Sequence, residues 1–202
     1  RSCTTALASL GAFMASLVVG RADAQISVCT AAGIIAQEGV NCPNNSTSPC
    51  TITKSYVVVG PPAPCVLDFG TRAVTLSTGT LDINSGSVIL KAGSLTLSAS
   101  SGGIDGRAPG SAPAPTKGGQ ISIQTTGDVN IKKSGTTRGR IDVSGSDQAG
   151  TIEIIAGGTV TIAGRLNADG STSGGGGNIT IRAGVDIITP PGNIISCTGG
   201  AL

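Results

Sequence analysis

The amino-acid sequence predicts an all-β protein, a right-handed parallel β-helix (a solenoid) with an N-terminal disulfide-rich cap. Short alternations of apolar and polar residues recur in a cycle of three from residue 66 onward. The chain has 32 Gly but only two Phe, one Tyr and no Trp in 202 residues, and four cysteines crowd into residues 29–65. Strict alternation buries one face of each strand, and stacked coils let small aliphatic side chains fill a narrow interior.

Residues 1–24 are predicted to be a signal peptide. Arg1 precedes the apolar segment 6–20, and the small residues 22–24 place the cleavage before Gln25. This apolar segment is too short to span a bilayer comfortably. We therefore expect a secreted or cell-surface protein with no membrane span in the mature chain.

Residues 25–65 are predicted to form the cap. Cys29, Cys42, Cys50 and Cys65 predict two disulfides in an oxidising compartment, with three pairings possible. The chain has no His and these cysteines form no Cys-x-x-Cys pair, which argues against zinc. Cys197 is then free or has a partner elsewhere, and the cap would shield the edge of the first coil.

Residues 66–202 are predicted to form the coils of the β-helix. An antiparallel sandwich also contains short alternating strands, but the fixed order of three strand types favours stacked coils. The first strand of each coil is predicted at 67–69, 88–90, 121–123, 152–154 and 179–181, the second at 74–76, 95–97, 129–131, 160–162 and 185–187, and the third at 81–83, 104–106, 141–143 and 166–168. In two successive coils the predicted inward side chains are Ile121, Ile123, Val129, Ile131, Ile141 and Val143, then Ile152, Ile154, Val160, Ile162, Leu166 and Ala168.

Two features lie outside this pattern. Residues 107–119, rich in Pro, Ala and Gly, are predicted to be a solvated insertion between coils, with a binding loop as the alternative. The chain lacks an initiator Met and ends just after a strand-like segment, so we expect a piece of a longer protein, truncated at the C-terminus.

The glycine-rich repeat "GTIEIIAGGTVTIAGRLNADGSTSGGGGNITIRAG" resembles the coils of secreted bacterial adhesins of the filamentous-haemagglutinin and autotransporter-passenger type. The resemblance covers about residues 66–190 and concerns architecture and repeat style. It implies a stiff surface rod whose partners are surface glycans or receptors on host or neighbouring cells.

Composition and motifs narrow the chemistry that the chain can perform. Its 13 basic and 11 acidic residues form no charged run, which argues against nucleic-acid binding. Pectate lyases and related polysaccharide enzymes share the coil geometry. Their signatures are absent: the sequence has no His, no adjacent Asp-Asp pair and no Trp or Tyr in the coils to stack on sugars.

One column of carboxylates is a candidate site. Asp82, Asp105, Asp142 and Asn167 occupy the outward middle position of the third strand in successive coils, so we expect them about 4.8 Å apart. Such carboxylates repel unless compensated, which makes Asp82, Asp105 and Asp142 candidates for calcium or for acid/base chemistry. The simpler interpretation is a solvated ladder, with Arg140 and Arg165 pointing outward beside it.

The sequence therefore predicts a structural, adhesin-type rod with no catalytic site and no cofactor of its own. The alternative is the N-terminal part of a pectate-lyase-like enzyme or of a carbohydrate-binding β-helix.

Overall fold

The computed structural model describes residues 26–45, 47–59, 64–107, 117–171 and 174–199. Within them the chain winds through about six turns of a β-solenoid made of three parallel sheets. The predicted signal peptide, residues 1–24, and most of the predicted insertion at 107–119 lie outside the described residues. The predicted fold class is confirmed as a parallel β-solenoid.

From the second turn onward, each turn contributes one strand to each of sheets B, C and A, in that order along the chain. Sheet A contains β1 (Ile26–Val28), β3 (Tyr56–Val58), β6 (Thr80–Asp82), β9 (Gly103–Asp105), β14 (Arg140–Asp142), β17 (Arg165–Asn167) and β20 (Ile194–Ser196). Sheet B contains β4 (Cys65–Asp68), β7 (Ser87–Ala92), β10 (Gln120–Thr125), β15 (Thr151–Ala156) and β18 (Asn178–Ala183). Sheet C contains β2 (Cys50–Ile52), β5 (Ala73–Leu76), β8 (Ser94–Leu97), β11 (Val129–Ile131), β16 (Val160–Ile162) and β19 (Ile187–Ile188).

The core is a continuous stack of aliphatic side chains enclosed by the three sheets. All twelve inward residues predicted above are buried to 1% exposure or less. Ile121 pairs with Val88 on one side and Ile152 on the other, and Val129 lies between Leu95 and Val160. Like side chains therefore stack from turn to turn, which explains how a chain so poor in aromatics forms a core.

The predicted register is wrong by two residues at both ends of the stack. Cys65, rather than Leu67, pairs with Val88. Ile187, rather than Val185, pairs with Val160, and Val185 is 75% exposed. A shift of two residues keeps the same side chains inward, so the alternation cannot distinguish the two registers.

The first turn replaces its sheet B strand with a helix. Helix α1 (Ala31–Glu38) lies between β1 of sheet A and β2 of sheet C, and the 3₁₀ turn η1 (Gly39–Asn41) follows it. Thr30 caps α1, because its hydroxyl accepts a hydrogen bond from the N–H of Gly33 at 3.3 Å. Ile34 is fully buried against the first turn, so the helix closes this end of the core.

Both predicted disulfides are present in this region. Cys29 pairs with Cys65 and Cys42 with Cys50, which selects one of the three possible pairings. The first bond ties the segment before α1 to the first strand of the second turn, and the second closes the short loop after η1. Cys197 is free and exposed.

The fourth turn carries an insertion that the repeat pattern did not predict. Strands β12 (Lys133–Ser134) and β13 (Thr137–Arg138) form a short antiparallel hairpin between β11 and β14. Gly135, at φ +58°, lies at its tip. The hairpin leaves the three-sheet body and returns to sheet A at Arg140.

Candidate functional site

The predicted carboxylate column exists in the predicted register. On sheet A, Asp82 pairs with Asp105, Asp105 with Asp142, and Asp142 with Asn167. Val57 precedes the column and Ser196 follows it. The structure therefore brings together every residue that the sequence placed in this candidate site.

A repeated turn motif engages each of the three carboxylates. In each case the aspartate ends its strand and one carboxylate oxygen accepts the backbone N–H two residues further along, which is the geometry of an Asx turn. The backbone N–H of Asn84 donates to Oδ1 of Asp82 at 2.9 Å, that of Arg107 to Oδ1 of Asp105 at 3.1 Å, and that of Ser144 to Oδ1 of Asp142 at 3.1 Å. The column thus directs the chain out of sheet A toward the next turn.

Asp105 is the centre of an ion-pair cluster. Its Oδ2 lies 2.5 Å from Nη2 of Arg107 and 3.1 Å from Nη2 of Arg140. Burial raises the pKa of Asp105, but hydrogen bonds from Arg107 and the charges of both arginines outweigh it, so the pKa lies below its usual range. The same pairing raises the pKa of Arg107. Asp105 is therefore held ionised, as a structural counter-ion is.

The expected solvated ladder is wrong at Asp142 and Asn167. Both residues are only 5% exposed. Oδ1 of Asp142 accepts hydrogen bonds from the Ser144 hydroxyl at 2.8 Å and from the Asn167 amide at 3.2 Å. The segments that follow β14 and β17 also pair, through a bridge between Gly145 and Gly170. Pattern alone placed these side chains outside the lumen and could not show that neighbouring segments cover them.

Hydrogen bonds already engage part of the carboxylate column. Oδ1 of Asp82, Oδ1 of Asp142 and both carboxylate oxygens of Asp105 accept hydrogen bonds. In the part of the chain that the structure describes, no group of three or more His, Cys, Asp or Glu side chains is arranged to hold a metal ion.

A second surface, on the outer face of sheet B, was not predicted from the sequence. Two adjoining cavities of about 460 and 540 Å³ lie on this face and share Gln124. Ser122 donates to Oε2 of Glu153 at 3.0 Å, and the Gln124 amide donates to the Ser122 hydroxyl at 3.3 Å. Ile89 adds an apolar floor. We call this surface the sheet B groove; its amides, hydroxyls and carboxylate suit hydrogen bonding to a hydroxyl-rich ligand.

The sheet B groove is poorly suited to hydrolysis by two carboxylates. Besides Glu153, the acidic residue that lines it is Asp68. Asp68 lies on β4 and Glu153 on β15, three strands apart, which corresponds to roughly 14 Å or more. Glycosidases that use paired carboxylates hold them about 5 to 10 Å apart. The outward polar positions of β7, β10 and β15 were the signal that could have predicted this surface.

Comparison with protein families, curated proteins and solved structures found no match to this chain. No helix of the described residues has the length and apolar character needed to cross a membrane.

Proposed function

We propose that this protein is a secreted or cell-surface structural rod of the adhesin type, without a catalytic site of its own. The observation that carries the proposal is the unbroken aliphatic stack through sheets A, B and C, with successive turns in exact pairing register. A stack of this kind gives a stiff body whose turns can present ligand-binding loops without moving.

The carboxylate column supports the same role. Its side chains stabilise turns and neighbouring strands, and Arg140 links the fourth turn to Asp105 in the third. Two disulfides fit an oxidising compartment, which agrees with export through the predicted signal peptide.

Two measurements test this proposal. Fusion of residues 1–24 to a reporter that is active only after export should give activity, and mass spectrometry of the exported chain should place its first residue at Gln25. Cells that display the chain should adhere to a glycan- or receptor-bearing surface more strongly than cells displaying a scrambled control. Retention of the reporter in the cytoplasm, or unchanged adhesion, contradicts the proposal.

The second candidate function, carbohydrate binding or cleavage, is favoured by the sheet B groove. We expect neutral oligosaccharides to bind there without turnover, and Gln124→Ala to weaken binding about tenfold, a typical effect of losing a specific hydrogen bond. Release of reducing sugar from a polysaccharide panel, abolished by Asp142→Ala in the carboxylate column, would instead favour an enzyme.

A further inference from the structure

The hairpin of β12 and β13 concentrates positive charge on a solenoid that is otherwise close to neutral. Residues 132–140 contain Lys132, Lys133, Arg138 and Arg140 and no acidic residue, whereas the whole chain carries a net charge of only +2. Lys132 and Lys133 are exposed and Arg138 is half-buried. The charge therefore lies on an insertion, where a rigid solenoid can present it to a partner.

Lys133 and Arg138 lie directly opposite each other in the hairpin. Like charges in that position destabilise a strand pair unless something compensates them. Both side chains reach across to the carbonyl oxygen of Gly192, at 3.5 Å from Nζ of Lys133 and 3.4 Å from an Nη2 of Arg138. A neutral carbonyl at these distances offsets little of the repulsion between two cations.

No carboxylate compensates this pair within the described residues. All ion pairs found there involve Asp105, which binds Arg107 and Arg140. The Nε atoms of Arg138 and of the neighbouring-turn Arg165 are buried and lack a hydrogen-bond partner. The charges that an external oxyanion can reach are therefore the exposed ammonium groups of Lys132 and Lys133 and the accessible part of the half-buried Arg138 side chain, each of which can donate charge-assisted hydrogen bonds.

We propose that Lys132, Lys133 and Arg138 form a binding site for the sulfate or carboxylate groups of an acidic polysaccharide. We call these three residues the hairpin site. Gly192 lies between β19 and β20 of the sixth turn, so the hairpin extends over the fifth turn, and Lys133 and Arg138 converge on one carbonyl oxygen there. A polyanion carries repeated charged groups, so one group can contact Lys133 and Arg138 while the next contacts Lys132.

The aromatic residues favour a polysaccharide over a single-stranded nucleic acid. Binding of single-stranded nucleic acid combines positive charge with aromatic side chains on which bases stack. In the described residues Tyr56 and Phe69 are the aromatic side chains, and both are buried in the core. The hairpin site thus offers charge without a stacking surface.

The test compares two double variants that remove the same charges. Lys133→Gln with Arg138→Gln alters the hairpin site, and Lys117→Gln with Arg182→Gln removes one lysine and one arginine that are exposed elsewhere. Heparin and polygalacturonate serve as the sulfated and carboxylated probes, with free sulfate and duplex DNA as comparison ligands, all at fixed ionic strength.

We expect the hairpin variant to bind at least one polysaccharide tenfold or more weakly, and the control variant to change less than about twofold. The slope of log K against log salt should decrease by about two in the hairpin variant, since two ionic contacts are lost. Equal losses in both variants, absence of binding to both polysaccharides, saturation by free sulfate alone, or tighter binding of duplex DNA would overturn the proposal.

This inference gives the proposed rod a ligand class and rests on the rod for the display of the hairpin. The two proposals can fail separately. If the chain is exported and adheres through another surface but does not bind polysaccharide, only the hairpin site is contradicted. If the chain remains in the cytoplasm but binds heparin through Lys133 and Arg138, only the role at the cell surface is contradicted.

Discussion

Glu38 is a buried carboxylate at the end of α1, only 4% exposed. Its oxygens accept hydrogen bonds from the N–H of Thr53 and Lys54, both at 2.9 Å, from the Thr53 hydroxyl at 2.8 Å, and from the Tyr56 hydroxyl at 3.0 Å. Burial raises the pKa of Glu38, but these hydrogen bonds outweigh it and the net shift is downward. Burial and the Glu38 charge together raise the pKa of Tyr56. One side chain therefore joins the helix to the segment between β2 and β3 and to β3 of sheet A.

We predict that Glu38→Gln lowers the free energy of unfolding by about 1–3 kcal/mol near neutral pH, because the amide leaves buried donors without an ionised acceptor. A carboxylate with a lowered folded-state pKa stabilises the fold above the ordinary glutamate pKa of 4.5 and loses that contribution as the pH falls through the lowered value. The difference between wild type and variant should therefore shrink on acidification below pH 4.5.

Urea unfolding between pH 3 and pH 7 measures this difference. Glu153→Gln, on the exposed face of sheet B, is the matched control and should change stability by less than about 0.5 kcal/mol. A difference at Glu38 that is independent of pH would show that its charge is not what stabilises the first turn.

At the scale of the element, β15 shows how the alternation divides a strand between core and surface. Ile154 is fully buried, whereas the adjacent Ile155 points outward beside the sheet B groove. We predict that Ile154→Ala lowers stability by about 2–5 kcal/mol through lost burial and a cavity, and that Ile155→Ala costs less than about 1 kcal/mol. Thermal or denaturant unfolding of the two variants measures both values. Similar losses at the two positions would contradict the stacked-core arrangement.

The two disulfides close loops of very different length. Cys29 and Cys65 are 36 residues apart, and Cys42 and Cys50 are 8 apart. Chain-entropy reasoning gives about 4 kcal/mol for the longer loop and about 2.5 kcal/mol for the shorter one. We predict that Cys29→Ser with Cys65→Ser destabilises the first turn more than Cys42→Ser with Cys50→Ser. Equilibrium unfolding checks the order; a reversed order would show that native packing, rather than the constraint on the unfolded chain, dominates.

The sequence predicts an element well where the element belongs to the repeating alternation of apolar and polar residues, and poorly where it does not. Period-two alternation identified the inward faces of β10, β11, β15 and β16, because burial acts on every second side chain. It could not fix the register of β4 or β19, since a shift by two preserves the pattern. It also missed α1 and the β12–β13 hairpin, which occur once each and have no repeat to reveal them.

The candidate site was also predicted only in part. The spacing of Asp82, Asp105 and Asp142 gave their stacking, because the register of sheet A is constant through these turns. It did not give the burial of Asp142, which depends on the conformation of the segments after β14 and β17. The sheet B groove arises from side chains on several turns, so only the outward positions of β7, β10 and β15 taken together could have predicted it.

At the scale of the whole molecule, the two ends of the described solenoid differ. Helix α1 and two disulfides cover the first turn. In the sixth turn, β18, β19 and β20 each have a neighbour on one side only, and the inward side chains Ile187 and Ile195 are 44% and 43% exposed. An uncovered edge with apolar side chains is a template for further strand pairing.

We predict that this 202-residue chain self-associates as its concentration rises, and that Ile187→Lys with Ile195→Lys suppresses the association. Lysine on an open edge opposes strand addition through charge and solvation. Sedimentation velocity over a range of concentrations measures the effect. Val40→Lys, at an exposed position beside α1, is the control and should leave self-association unchanged. A chain that is monomeric at every concentration would contradict the prediction, and a control that dissolves the assemblies would locate the contact elsewhere.

The covered first turn of the described solenoid gives the chain a direction in which to assemble. Once the helix and its disulfides have formed, each later turn finds its hydrogen-bonding template already in place and brings in strands only about 20 to 35 residues further along the chain. We expect the turns to fold in order along the chain, each pairing with the turn before it and starting from the N-terminal turn. Reduction of the Cys29–Cys65 disulfide would then delay the folding of every later turn, rather than destabilise only the first turn.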